Sequence, residues 1–195
     1  MNQYLESSKY VDWEHPKVSS QAQRIAKGLS NNSDIARACF KFVRDEIKHS
    51  FDYQLNPITL KASEVLEYGT GYCFAKSHLL AALLRANSIP AGLCYQRLML
   101  DSNTPSYCLH GLNAVYLEQY GWYRIDARGN KPGVITDFTP PVEQLAFSTS
   151  LTGEIDLPEV WAEPLDIVVQ ALVANHTFEA VAENLPDVEI FERIP

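Results

Sequence analysis

The chain has 195 residues, 46% of them hydrophobic, and a formal net charge of −8. That length suits one substantial core and reads as a single domain over residues 1–195. The acidic balance argues against binding a nucleic-acid backbone or an anionic bilayer, no cationic start leads into an apolar run, and Arg85, Arg97 or Glu118 interrupts each long apolar stretch, so a water-soluble cytoplasmic protein is expected.

In chain order, residues 19–29 predict a short helix capped by serine, and residues 33–48 a stronger one. In the second, Ile35, Ala38, Cys39, Phe42, Val43 and Ile47 recur on one face, which reads Cys39 as core. Residues 49–57 lack a helical stripe and contain Pro57, so a loop is expected. Residues 61–68 give two more helical turns, with Gly69 placed for a left-handed helix end. An apolar helix beginning at Cys73 follows and stops before Ile89-Pro90.

The period then changes. Residues 92–100, 109–118 and 121–125 are rich in aromatic and β-branched side chains and predict three antiparallel strands, with a turn-rich loop at 101–105 and a tight hairpin at 118–121. Helices first and sheet second argue for an α+β fold, with its core at about residues 35–135. Residues 140–195 read as an acidic appendage limited by Pro158, Pro164 and Pro186, holding helices at 165–173, with Pro164 in its first turn, and 177–183.

Four cysteines at uneven spacing suit reduced thiols, and Cys94 alternates into the core. Cys73 differs, because Gly69-Thr70-Gly71-Tyr72-Cys73 runs directly into the apolar helix, where backbone N–H groups and the positive helix end favour a thiolate. A thiolate nucleophile needs a base, and the base an orienting partner. His110 lies in the second predicted strand and Asp126 closes the third. A hairpin loop of three or five residues puts both on one sheet face, whereas a two-residue loop puts them on opposite faces. With suitable register Asp126 accepts from one ring nitrogen of His110 and leaves the other aimed at Cys73.

Blander readings stand beside this one. His110 can be a satisfied structural histidine, and Asp126 a strand terminator. Cys108 and His110 share a strand face and admit a metal site with Cys73, but the second close ligand pair of such sites is missing. His78 stands about 140° around the helix from Cys73 and suits packing or a surface role. His15, His49 and His176 have no catalytic neighbour in sequence. For an oxyanion hole, the Cys73 N–H is one candidate donor. Gln54 or Asn56 could supply the second, with Tyr53 and Trp122 as rivals; Trp122 could instead pack beside the site or hold substrate.

Ala62-Ser63-Glu64-Val65-Leu66, the glycine-rich approach to Cys73, Ala81-Ala82-Leu83-Leu84-Arg85-Ala86 and Ile89-Pro90-Ala91 together resemble the transglutaminase-like superfamily. Downstream, His110, Val115-Tyr116-Leu117, Gly121-Trp122 and Ile125-Asp126-Ala127 follow that family's order. The resemblance implies a cysteine helix packed on an antiparallel sheet and a papain-like site, with Cys73 as nucleophile, His110 as acid and base, and Asp126 as orienter. It implies neither metal nor cofactor. Family members form a thioester from an amide and pass the acyl group to an amine or to water. Leu112 stands where the family often has an aromatic residue and Ala75 where it often has an acidic one, departures that would alter substrate contacts and weaken the case for crosslinking.

The expected function is therefore thiol-dependent attack on a carboxamide or peptide bond of a protein, peptide or small amide, with hydrolysis favoured over crosslinking. Alternatives are a non-catalytic binding or scaffold module of the same fold and a small-molecule acyltransferase. Residues 150–195 are expected to cover part of the site and restrict substrate size. Nothing in the sequence specifies an oligomeric state.

Overall fold

Local capping sets the first helices in the computed structural model, which describes residues 1–104 and 106–188; Pro105 of the predicted loop and residues 189–195 of the appendage lie outside the described residues. Helix α1 (Pro16–Ala26) starts three residues earlier than expected. Its cap is His15, whose Nδ1 accepts from the Lys17 N–H at 3.3 Å, and Pro16 supplies a preset first turn, so the serines fall inside the helix. Helix α2 (Asn32–Glu46) is capped by Asn31, whose Oδ1 accepts from the Asp34 N–H at 2.8 Å. Its inward face buries Ala36, Cys39, Phe40 and Val43.

The predicted loop at 49–57 is partly ordered. Strand β1 (Lys48–His49) leads into it, and it holds a single turn α3 (Ser50–Tyr53), ended by Gln54 in the left-handed region at φ 53°. In α4 (Ala62–Tyr68) the Glu64 carboxylate folds back to accept the Leu60 and Lys61 N–H groups, and Gly69 closes the helix at φ 66° as expected. Strand β2 (Thr70–Gly71) pairs in parallel with β1, Lys48 opposite Thr70. Two-residue strands offer no alternation to detect, so neither is visible in sequence.

Helix α5 (Cys73–Ala86) is buried at every residue except Ala86. It lacks a one-sided apolar stripe because α1, α2 and α4 pack on it from one side and the sheet from the other. Burying a leucine such as Leu79, Leu80, Leu83 or Leu84 stabilises by about 1.5–3 kcal/mol each, an upper bound. The buried Arg85 guanidinium donates to the carbonyls of Ala91, Glu6 and Ala162 at 3.0, 2.9 and 2.7 Å and so ties chain segments far apart in sequence to this helix.

Strands β3 (Ala91–Asp101), β4 (Ser106–Leu117) and β5 (Gly121–Ile125) form an antiparallel meander. After a separate hairpin, β6 (Asp137–Thr139) and β7 (Val142–Gln144), the chain returns as β8 (Ile155–Asp156) to the free edge of β3, giving the order β5-β4-β3-β8. Helices α6 (Asp166–Ala174) and α7 (Phe178–Glu183) follow. Pro164 precedes the α6 cap, Leu165, instead of entering the first turn. Among the described residues no helix is long and apolar enough to cross a membrane.

Candidate active site

The length difference between β4 and β5 creates the site. Strand β5 pairs only with Asn113 to Leu117, so the β4 edge beyond it keeps N–H groups with no strand partner. The Gly111 N–H reaches Cys73 Sγ at 3.4 Å, and the Leu109 N–H reaches the Pro186 carbonyl at 2.7 Å. A glycine is required at 111: a Cβ there would stand 2.8 Å from Phe74 Cδ1 and 3.1 Å from Phe74 Cα. Its absence lets the start of α5 dock against the sheet. Tyr72 caps that helix with no side-chain hydrogen bond to its first N–H groups.

The hairpin decides the second half of the site. Leu117 pairs with Gly121, leaving a three-residue loop, and this register puts His110 and Asp126 on one face. His110 Nε2 and Asp126 Oδ2 are 2.7 Å apart and both side chains are buried. Asp126 also accepts the Arg128 N–H at 3.0 Å and the Ala146 N–H at 3.1 Å. Burial disfavours the charged imidazole, but Asp126 and Cys73 outweigh it and push His110 up to about 10. Burial likewise opposes the Asp126 carboxylate, yet His110 and the two backbone donors hold it below its ordinary value. The Phe147 ring meets the imidazole edge-on, centroids 5.0 Å apart.

Cys73, His110 and Cys108 line one cavity of about 580 Å³, whose apolar wall includes Leu98, Leu100 and Leu109. Part of the wall comes from the C-terminal half, through Phe147, Ala182 and Leu185. Burial raises the Cys108 thiol to about 12, and does the same to Cys39 and Cys94. Although Cys108 shares the cavity, no three His, Cys, Asp or Glu side chains among the described residues converge as a metal site.

Gln54, Asn56 and Trp122 do not line this cavity. The α3 turn leaves Gln54 in solvent, and the Asn56 side chain accepts the Phe178 N–H at 3.0 Å, anchoring α7 instead. Trp122 sits opposite Tyr116 at the hairpin end of β5, four residues and roughly 13 Å along the strand from Asp126. There its ring packs edge-on against Tyr4 and Tyr116 at 4.8 and 5.7 Å. Tyr53 is exposed beside Lys48. Leu112 and Ala75 are buried away from the cavity, so the two departures from the family pattern do not touch a ligand there. His78 is fully buried, Nδ1 against the Leu60 carbonyl at 2.7 Å, and burial lowers it to about 4.

A polar cluster absent from the sequence reading borders the dyad. Arg128 clasps Asp52 with two hydrogen bonds of 2.7 and 3.1 Å, and Lys131 Nζ adds a third at 2.7 Å. Burial opposes the Asp52 charge, but these donors hold its carboxyl down at about 2. His49 Nδ1 is buried without a hydrogen bond, 3.7 Å from Asp52 Oδ2. Behind them Lys76, one turn past Cys73, donates to the Ile47 carbonyl, and burial lowers it to about 7. A lysine inside an apolar helix was a visible signal; the meeting of residues 49–52 with 128–131 was not.

The model of the transglutaminase-like superfamily matches residues 19–127, more than half of the chain and all of the Cys73, His110 and Asp126 constellation. The chain belongs to the transglutaminase-like superfamily. No match was found among curated protein sequences. Among solved structures, this transglutaminase-like chain is similar to a candidate cysteine protease from Cytophaga hutchinsonii, with 22% identity over 64% of this chain and 40% of that one and a TM-score of 0.50. It is also similar to the periplasmic domain of TgpA from Pseudomonas aeruginosa, with 18% identity over 64% of this chain and 45% of that one and a TM-score of 0.49. The transglutaminase-like chain thus matches less than half the length of either structure.

Proposed function

We propose that the chain is a cysteine-dependent enzyme that cleaves a carboxamide or peptide bond through a thioester on Cys73. The observation that carries this reading is that His110, held 2.7 Å from the buried Asp126, lines one cavity together with Cys73. With Nε2 held by Asp126, the remaining ring nitrogen of His110 serves the thiol. The Cys73 thiolate attacks the carbonyl carbon, and the oxyanion that forms is met by the Cys73 N–H at the uncapped start of α5. The carbon–nitrogen bond breaks as the His110 imidazolium gives its proton to the leaving amine. His110 then takes a proton from water, whose oxygen attacks the thioester and expels the thiolate. Walls from Phe147, Ala182 and Leu185 narrow the cavity and favour water over a bulky amine as acceptor.

The test is a screen of amide and peptide substrates with intact-mass detection of the acylated protein. Cys73→Ala should abolish both the adduct and turnover, and His110→Ala should slow turnover by about 10²- to 10⁴-fold. Turnover that survives both replacements overturns the proposal.

A further inference from the structure

We infer that the corner of the cavity formed by His49, Arg128 and Lys131 binds a carboxylate carried by the substrate. This deepens, and rests on, the reading of Cys73 as the reacting thiol. These three residues form the wall shared by the Cys73 cavity and an adjoining polar recess of about 370 Å³. In a chain of net charge −8, this recess also gathers Lys48 and Lys76. Its acidic side chains are Asp45 and Asp52. Both Asp45 oxygens are engaged by Arg44, at 2.6 and 3.0 Å, which leaves Asp52 alone against the Arg128 and Lys131 cations.

That corner therefore carries one positive charge more than Asp52 balances, which matches a monoanion better than a dianionic phosphate. The same wall holds the buried His49 Nδ1, which has no hydrogen-bond partner and stands 3.7 Å from Asp52 Oδ2. The Lys131 side chain is 39% exposed, and Asp52 takes one of the three donors of its ammonium. Elsewhere the cavity is lined by the apolar Leu98, Leu100 and Leu109 and by Glu154, whose carboxylate is taken up by the Met99, Ser150 and Leu151 N–H groups. The substrate class that fits is an amide with an apolar group on one side and a carboxylate on the other. That carboxylate comes either from an acidic side chain or from a free peptide C-terminus.

Both sources are separated by measuring the equilibrium binding of short peptides to Cys73→Ala protein by calorimetry. Three matched peptides with a common apolar residue are used: one with an internal glutamate and amidated end, one with glutamine and a free C-terminal carboxylate, and one with glutamine and an amidated end. One of the two acids should bind at least about tenfold more tightly than the neutral peptide. Lys131→Gln should erase most of that preference, Lys131→Arg should keep it, and Lys17→Gln, on a surface pair with Glu67, should leave it unchanged. Equal affinities for the three peptides, or no binding of either acid, overturns the subsite. The thiol reading is judged separately, by whether Cys73 is alkylated faster than the buried Cys39 in the unmutated protein.

Discussion

His110 is held between two groups that both favour its charged form, and that coupling makes Asp126 more than a spacer. Its folded value, pushed up to about 10, exceeds the ordinary imidazole value, so the stabilisation from its charge is present in full below about 6.5 and is lost as pH rises through about 10. Asp126→Asn should cost about 3 kcal/mol in urea unfolding at pH 6, because one member of a buried pair is removed, and the gap to wild type should narrow by pH 10. An equal gap at both values would show that the ionic pairing is not what Asp126 contributes. At this scale the residues Cys73, His110 and Asp126 were legible in sequence, since a thiol at a helix start and a His and Asp on neighbouring strands are local patterns. Asn56 and Trp122 stand away from the cavity because their side chains found partners in Phe178 and in Tyr4 and Tyr116, far away in sequence, and Gln54 because the α3 turn leaves it in solvent.

Between elements, the decisive contact is the docking of the α5 start against β4. Gly111 and Phe74 meet so closely that a single methyl group has no room on the backbone side. Gly111→Ala should therefore destabilise the protein by about 1–3 kcal/mol and slow iodoacetamide alkylation of Cys73, because the helix start must retreat from the Gly111 N–H. Denaturant unfolding and peptide-resolved mass spectrometry read the two effects; unchanged stability would show that the two elements separate freely. Helix α5 itself was plain from its apolar run and from Gly69. The β1–β2 pair was not, being too short to carry a period, yet it brings His49 beside the thiol cavity.

Across the whole molecule, the C-terminal segment is pinned over the site by separate anchors. Arg97 clasps Asp187 with two 2.6 Å hydrogen bonds, the Tyr72 hydroxyl donates to the Phe178 carbonyl at 2.5 Å, and the Pro186 carbonyl takes the Leu109 N–H on the edge that β5 leaves open. Each anchor lies within or next to residues that line the Cys73 cavity. Asp187→Ala should raise the alkylation rate of Cys73 by a bulky maleimide about 3- to 10-fold relative to iodoacetamide, as the segment opens more often. An unchanged ratio would mean that this clasp does not limit access.

Capping, period and turn chemistry act over a few residues, so the amino-acid sequence alone determined the central helices, the three-stranded meander, the thiol at a helix start and the two faces between which the hairpin had to choose. Tertiary structure decided what depends on distant segments sharing one volume. Arg128 meets Asp52 across 76 positions and Arg97 meets Asp187 across 90, distances at which no periodic pattern links two residues. Their partners are selected by how α5, the sheet and the returning C-terminal chain fill space, and that packing sets the basic corner and the roof around a thiol the sequence had already placed.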